Sequence, residues 1–398
     1  MKFDILIIGA GVIGLSVAKG LLERDQNLRV LLVEKEDSIG QHASGRNSGV
    51  IHAGFYYSPD SLKAKFCRDG NQSLKKLCKD FNIPLKEVGK VVVARNAHEV
   101  EQLQNLFERG LKNGVDLSLL PDSELPRYEP LARTVNCFVW SPTTAVSDPK
   151  LVLAALLQSV EQLGAEIWFG AHLSFNREST TVSINGVNIE FRHVINTAGS
   201  QADRIAHHFG FGKNLSMIPF MGIYRGVTQA QIPLSTLVYP VPDPKNPFLG
   251  VHVTSTVYGK VKIGPTAIPL LNREQYKFSE GWKRKDIKES ASGLLSMLRG
   301  NVHDLPKLAK GELPKIFLKR LIQDAATLVP DVEHIKGWER LSPGIRAQLV
   351  DLKSGELIND FIVERDQHST HVLNAVSPGW TASIPFGCYI AEGVLSQI

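Results

Sequence analysis

The chain has no run of about eighteen apolar residues free of charge, which excludes a membrane-spanning helix. Cysteine is scarce. Cys67, Cys78, Cys137 and Cys388 are the four in 398 residues, and no two form a C-x-x-C pair. That excludes a disulfide framework or a zinc ribbon, and the thiols read as reduced and mostly buried in a cytosolic protein. A large excess of one charge is also lacking. A net +5 over this length does not imply nucleic acid, and no zinc-finger or RNA-binding signature accompanies it. No internal repeat or low-complexity tract is visible, and no metal is expected. The first apolar run begins at Phe3, so no signal or transit peptide is expected ahead of it. The composition is 43% hydrophobic, ordinary for a globular protein, and the length allows two or three domains.

Against these absences, the first thirty-four residues are dense with meaning. Phe3–Ile8 is an apolar run that ends at Gly9-Ala10-Gly11-Val12-Ile13-Gly14, a G-x-G-x-x-G. A helical pattern follows, with Val17, Leu21 and Leu22 at three-to-four spacing. A second apolar run, Arg29–Val33, closes at Glu34. In this strand–turn–helix–strand frame the glycines have a mechanism. Gly9 permits the tight turn, Gly11 lets backbone approach a pyrophosphate, and Gly14 lets the helix lie close on the strand. The helix N-terminus offers unpaired N–H groups to the phosphates. Glu34 can accept from ribose hydroxyls, which argues against a 2′-phosphate. NAD and FAD both remain open at this point.

The stretch Gln41–Gly54 favours the flavin. It is rich in Gly, Ser, Asn and His and has no periodicity. It reads as a second cofactor-contacting segment, which a flavin dinucleotide needs because its ring system extends far past the pyrophosphate. Lys35, Ser44, Asn47, Ser48, Gly49 and Val50 are the expected contacts, and a plain surface loop is the competing reading. Further on, the spacing predicts a helix over 60–81, a strand over 87–94, a helix over 99–113 and a loop with a helix start over 119–125. Phe138–Trp140 and Ala145–Ser147 read as strand ends around a turn, followed by a helix over 149–163 and a strand over 166–169. A hairpin over 181–192 turns at Asn185-Gly186. His193–Ser200 is an apolar strand ending in a small-residue turn, and Gly199 sits where open parallel sheets bind ligands. Residues 217–266 read as β-structure with Pro-rich turns. Residues 276–325 read as helical and basic, either a solvated face or a peripheral membrane or partner surface. Strands over 361–364 and 371–376 lead to Ser377-Pro378-Gly379-Trp380-Thr381-Ala382 and a final helix from about Ser383 to Leu395. A helix N-terminus there would stabilise negative charge on a reduced flavin.

The glycine motif, the His42–Gly54 loop and the C-terminal Pro-Gly helix resemble the D-amino-acid-oxidase superfamily of FAD enzymes. Asn47–Gly54, Tyr56–Pro59, Ser61–Lys65, Gly89–Ala94, Tyr239–Pro244, Phe248–His252, Gly264-Pro265 and Asn374–Pro378 are similar, more closely, to the L-2-hydroxyglutarate dehydrogenase family. The resemblance covers nearly the whole chain. It implies an α/β fold with an α+β second domain: a Rossmann-like FAD-binding domain of the glutathione-reductase type and a discontinuous substrate domain on a mostly antiparallel sheet. The division expected is 1–86, 147–215 and 336–398 for FAD, and 87–146 with 216–335 for substrate. The resemblance also implies oxidation of L-2-hydroxyglutarate to 2-oxoglutarate. Electrons would pass to a quinone or another non-oxygen acceptor, often at a membrane surface, here the inner face of the cytoplasmic membrane. The chain departs from the family at Arg46, where His is usual, and at Met221, where Arg is usual. Arg225 lies four residues on as a compensating cation.

Oxidising a 2-hydroxy acid on flavin moves a hydride from the α-carbon to N5 and removes the hydroxyl proton. A neutral His suits the second task, and His52, at the end of the flavin-contacting loop, is the candidate base. Its competing role is to pack against the flavin. Arg346 is the candidate for the α-carboxylate, because a guanidinium fork binds it bidentately; a structural salt bridge competes. Tyr57, Lys63, Arg225 and His252 are candidates for the distal carboxylate and pocket wall. Gly344, Pro378, Gly379, Thr381 and Ala382 complete the expected cofactor contacts. His42 and His52 are the conceivable attachment points for a covalent flavin, whereas the resemblance implies non-covalent FAD. The rival functions are an amine or amino-acid oxidase, a glycerol-3-phosphate-type dehydrogenase, and a redox subunit with a partner.

Overall fold

Lys2–Ile8 is buried along almost all of its length, the pattern of a strand covered on both faces. In the computed structural model it pairs in parallel with Val30–Val33 on one side and Val187–Asn196 on the other. Glu166–Trp168 joins Val30–Val33, and Ser369–Leu373 joins Val187–Asn196, both in parallel. Antiparallel strands Leu173–Phe175, Thr181–Ile184 and Ile362–Arg365 complete an eight-stranded sheet. The structure describes every residue except 176–180, 244–245, 278–281 and 302–303. Pro244 of the Tyr239–Pro244 motif and parts of the basic 276–325 segment lie outside the described residues.

Helices Val12–Leu22, Leu62–Asp80, Pro149–Gln162 and Gly379–Leu395 share one apolar core, through Leu15, Leu21, Phe66, Leu74, Leu156, Phe386 and Ile390. Their starts are chemically specified. Ser61 Oγ accepts the Ala64 N–H at 3.1 Å, and Asp148 accepts from Lys150 and Leu151 with Pro149 at the first position. Val12–Leu22 has Gly11 at its N-cap and so no cap of its own. Ser44 supplies one from the loop, its Oγ accepting the Val12 N–H at 3.0 Å.

A second eight-stranded sheet runs in the order 339–340, 225–228, 260–264, 252–255, 237–240, 90–93, 137–141, 118–121. It is antiparallel except where Leu237–Pro240 meets Lys90–Val93. A smaller sheet joins Leu215–Gly222 to Gly344–Asp351, with Phe220 opposite Arg346 and Met221 opposite Ile345. This sheet links a segment of the expected substrate domain to one of the expected FAD domain.

Several local expectations change. Ser118–Pro121 is an edge strand on Cys137–Ser141, not a loop, and the helix start arrives at Asp122. Cys137–Ser141 and Ala145–Ser147 do not pair across their turn; they enter different sheets. The hairpin's second strand runs on to Asn196, so one strand serves both the hairpin and the parallel core. The last helix starts at Gly379, four residues early, because Pro378 is its N-cap rather than part of a separate turn.

Candidate active site

The glycine loop is forced by close backbone contact. Gly9 has φ +102°, and a Cβ there would sit 2.7 Å from the Thr197 carbonyl oxygen. At Gly14 a Cβ would press into the Gly9 carbonyl oxygen and stand 2.7 Å from Thr197 Oγ1. Glu34 Oε2 accepts the Ala10 N–H at 3.0 Å, which fixes the acid at the mouth of the loop. A cavity of about 440 Å³ opens here and continues to Arg346. Bare backbone at Gly11, first-turn N–H groups and an acid at the strand end are the features a dinucleotide requires, so this wall fits one.

The Gln41–Gly54 loop forms the next part of the wall and is held by its own side chains. Asn47 Oδ1 accepts the Gly49 N–H at 2.9 Å, and its Nδ2 donates to the Ser44 carbonyl at 2.7 Å. Lys262 Nζ donates to the Ser48 carbonyl at 2.8 Å. Arg46 lies over the Tyr276 ring at 4.2 Å, and His42 Nδ1 is 3.0 Å from the Tyr276 hydroxyl. Glu36, His42 and Glu274 bring three ligand-type atoms within 4.8 Å of one another. Lys35 Nζ bonds to all three, so the chain supplies its own cation there. Lys35 and His42 together hold the Glu36 carboxyl at about 2.

The far end of the cavity is built by three elements. The helix Gly379–Leu395 points its N-terminus into the wall through Pro378, Gly379 and Thr381, and Thr381 Oγ1 accepts the His52 N–H at 3.2 Å. His52 lines the cavity, and its Nδ1 is 3.5 Å from Lys90 Nζ. Burial first, then the charge of Lys90 and of His252, holds the imidazole well below its usual range. His252 lines the same cavity and stacks on Tyr239 with ring centres 3.9 Å apart. Its Nδ1–H donates to the Gly250 carbonyl at 2.9 Å, and burial holds it at about 3.

Arg346 completes this end. Its Nε donates to Gln348 Oε1 at 3.0 Å, and its guanidinium lies 5.1 Å from the centre of the Phe248 ring. Among the described residues the two terminal nitrogens make no hydrogen bond, which leaves them for a ligand. Burial pushes Arg346 down to about 10, and it pushes Lys63 and Lys90 down to about 7 and Lys262 to about 8. Arg346 is on the cavity wall, whereas Lys63, Lys90 and Lys262 lie off it. A buried guanidinium with no carboxylate ion pair among the described residues suits an anionic ligand.

Of the expected cofactor contacts, Gly9, Gly11, Glu34, Lys35, Ser44, Asn47, Ser48, Val50, Gly199, Gly344, Pro378, Gly379 and Thr381 line the cavity. Gly14, Gly49 and Ala382 do not: Gly14 serves helix–strand packing and Gly49 packs on the Ser147 carbonyl. Of the substrate candidates only His252 reaches the wall. Tyr57 and Lys63 stand close enough to Arg346 to feel its charge, and Tyr57 is hydrogen-bonded to Ser377. Arg225 lies opposite Arg340 on the other sheet, off the wall. Met221 is buried with Ile268, Leu270 and Ile345, so its side chain is off the wall as well. Sequence reasoning missed Phe220, Phe248, Tyr239 and Tyr276 as wall residues, since nothing local marks them. It also gave Lys90 no role, although a lysine opening the apolar run Lys90–Val93 was a visible anomaly.

Comparison with known proteins gives a consistent answer. A family model described as FAD dependent oxidoreductase (DAO) matches residues 4–393. The L-2-hydroxyglutarate dehydrogenase of Indibacter alkaliphilus is 36% identical over 100% of both chains. The mitochondrial L-2-hydroxyglutarate dehydrogenase of Homo sapiens is 32% identical, over 99% of this chain and 89% of its own. Among solved structures, the dithionite-reduced L-alpha-glycerophosphate oxidase of Mycoplasma pneumoniae with FAD bound has a TM-score of 0.73 at 24% identity, covering 100% of this chain and 95% of that one. At that identity the last likeness speaks for the fold alone.

Proposed function

The chain belongs to the DAO family of FAD-dependent oxidoreductases and, within it, to the L-2-hydroxyglutarate dehydrogenases; from that premise we propose that it oxidises L-2-hydroxyglutarate to 2-oxoglutarate. The observation that carries the reading is the enclosed Arg346 on the cavity wall, opposite Phe220 and near Phe248, without a carboxylate ion pair among the described residues. When bound, FAD supplies the acceptor for the hydride that leaves the α-carbon. Arg346 holds the α-carboxylate by its fork and so orients the α-carbon. His52, kept neutral by burial, takes the hydroxyl proton. Lys63 and Tyr57 act from behind Arg346, and His252 forms wall beside the substrate. On this reading 1–86, 147–215 and 336–398 carry the cofactor, and 87–146 with 216–335 carry the substrate side. The test is product analysis with a dye as acceptor. One 2-oxoglutarate per dye reduced, from the L-enantiomer and not the D, is the expected result. Peroxide release from glycine or glycerol 3-phosphate, with no 2-oxoglutarate, would overturn it.

For the electron acceptor the reading is a quinone or other non-oxygen acceptor, met at a membrane surface from the cytoplasmic side. Its support is a helical tip where Phe317 is 71% and Leu313 43% exposed, with exposed Lys307, Lys310, Lys319 and Arg320 beside them. The neighbouring Ile316 packs on the cluster of Met221, Ile268 and Ile345, and Ile345 lines the cavity. Sedimentation with anionic vesicles, lost in Phe317→Glu, is the expected outcome. Equal sedimentation of both proteins would remove this surface from the account.

A further inference from the structure

Lys90 is fully buried, at 0% exposure, at the start of a central strand of the second sheet. Long cationic side chains are almost never enclosed without a partner of opposite charge. Among the described residues no carboxylate forms an ion pair with Lys90. Its Nζ instead lies 4.2 Å from the centre of the Tyr239 ring, 5.0 Å from that of Tyr56 and 5.3 Å from that of Phe55. Its polar neighbour is His52 Nδ1 at 3.5 Å.

The geometry points to Lys90 as a positioning residue that, as a neutral amine, accepts the Nδ1–H of His52 and so keeps the Nε2 lone pair of His52 free toward the cavity. The inference rests on the proposed role of His52 as base. A His acts as a base through one nitrogen only if the other carries the proton, so the partner of Nδ1 decides which nitrogen can work. His252 shows the same logic with an ordinary partner: its Nδ1–H is fixed by the Gly250 carbonyl. At His52 the partner is a group that can reverse its role. As an amine it accepts from Nδ1. As an ammonium it donates to Nδ1, moves the ring proton to Nε2 and disables the base.

The surroundings favour the amine. The groups facing the pair are the Cys67 thiol, the Tyr56 and Tyr239 phenols and the His252 imidazole, with Lys262 acting on His252. Burial holds Cys67 up at about 12 and both tyrosines above their usual range, so none of them carries negative charge near neutrality. Burial is the dominant effect on Lys90 and lowers it to about 7. The ring faces around Nζ are the contacts a transient ammonium would use. In the reaction the electron pair of the α-C–H bond leaves with its hydrogen as hydride to FAD. The hydroxyl proton goes to His52 Nε2, and the Nδ1 proton of the resulting imidazolium passes to Lys90 Nζ. One proton enters the pair, and one ammonium results.

The experiment uses the FAD-loaded protein. Lys90→Met removes the acceptor while conserving length, and Lys90→Gln is a second variant with a polar end. FAD absorbance and melting temperature report whether each is folded. Both are expected to lower kcat about 10- to 100-fold with KM within about two-fold, and to lose an acid limb that wild-type kcat shows near pH 7. A merely structural lysine would shift the melting temperature and leave the pH profile in place. In parallel, wild-type protein labelled with ¹⁵N-histidine, with His52→Ala to assign the signal, reports the tautomer without any change at Lys90. Nδ1–H at about pH 8 that converts to Nε2–H below about pH 7 is the expected result; Nε2–H throughout overturns the inference. Near wild-type activity in His52→Ala overturns the proposed base itself. A crippled His52→Ala beside Lys90 variants with wild-type kcat and pH profile overturns only the role of Lys90.

Discussion

Replacing Arg346 by lysine separates the guanidinium fork from its charge. With Nε tied to Gln348, the two terminal nitrogens are free to meet both oxygens of a carboxylate. Lysine keeps a cation but offers a point charge in place of the fork. Losing one charge-assisted hydrogen bond costs about 1.5–3 kcal/mol, or roughly 10- to 150-fold in KM. A second loss comes from burial. The site already pulls Arg346 down to about 10, and it holds the neighbouring Lys63 at about 7. A lysine placed at 346, starting about two units below arginine, would titrate at about 8 under the same penalty. The charged form binds the substrate. Above about pH 8 the variant's KM should therefore rise about ten-fold per unit, while the wild type stays flat to about pH 9. The assay is initial rates with a dye acceptor across L-2-hydroxyglutarate concentration, from about pH 6.5 to 9.5, with FAD absorbance as the loading control. A wild-type KM near neutrality would refute a carboxylate at Arg346. A raised KM with no alkaline rise would refute the burial argument.

His52→Ala should leave FAD bound and lower turnover about 100-fold or more, read as kcat at saturating substrate; unchanged turnover removes His52 from the chemistry. Gly14→Ala drives a Cβ into the Gly9 carbonyl and Thr197, and it should cost about 3 kcal/mol and strip the cofactor, seen as a colourless protein that melts early. A yellow protein with the wild-type melting temperature would show that the helix can shift. His193 and His371 are both fully buried, bonded to Thr370 and to Asn196 and Ser369, and burial holds each at about 4. Their folded values lie below the unfolded value of about 6.5, so the unfolded chain binds more protons between the two and stability falls as pH drops through that window. Urea unfolding of the wild type should weaken steadily from about pH 6.5 to 5, and the slope should lessen in His371→Asn; a flat wild-type profile would contradict the assignment.

The cofactor end of the site was largely legible, because its requirements are local. Gly9, Gly14 and Glu34 lie within one strand–turn–helix–strand unit; the two glycines press on each other, Thr197 and Ala198, and Glu34 accepts from Ala10 inside the glycine loop. The substrate end was legible only where the family resemblance reached. Arg346 and His52 lie on the cavity wall, but Arg225 and Met221 do not, since whether a strand residue faces the wall depends on its register with a distant strand. Phe220 lies on the cavity wall opposite Arg346, 126 positions away, whereas Met221 beside it is off the wall and buried with Ile268, Leu270 and Ile345. The same cause hid the edge strand Ser118–Pro121, whose four residues have meaning only against Cys137–Ser141. Lys90 became interpretable only once three aromatic rings from two other segments were seen around it. The early start of the last helix was a different kind of miss. Pro378-Gly379 reads as a turn from local pattern alone, but proline is equally at home where a helix begins.

The most direct measurement is anaerobic mixing of the FAD-loaded protein with L-2-hydroxyglutarate while the visible flavin absorbance is followed. Rapid bleaching with the L-enantiomer, absent with the D-enantiomer and absent when Arg346 is lysine at high pH, is what this account predicts. A flavin that stays yellow with L-2-hydroxyglutarate, and bleaches instead with glycerol 3-phosphate or an amino acid, would contradict it.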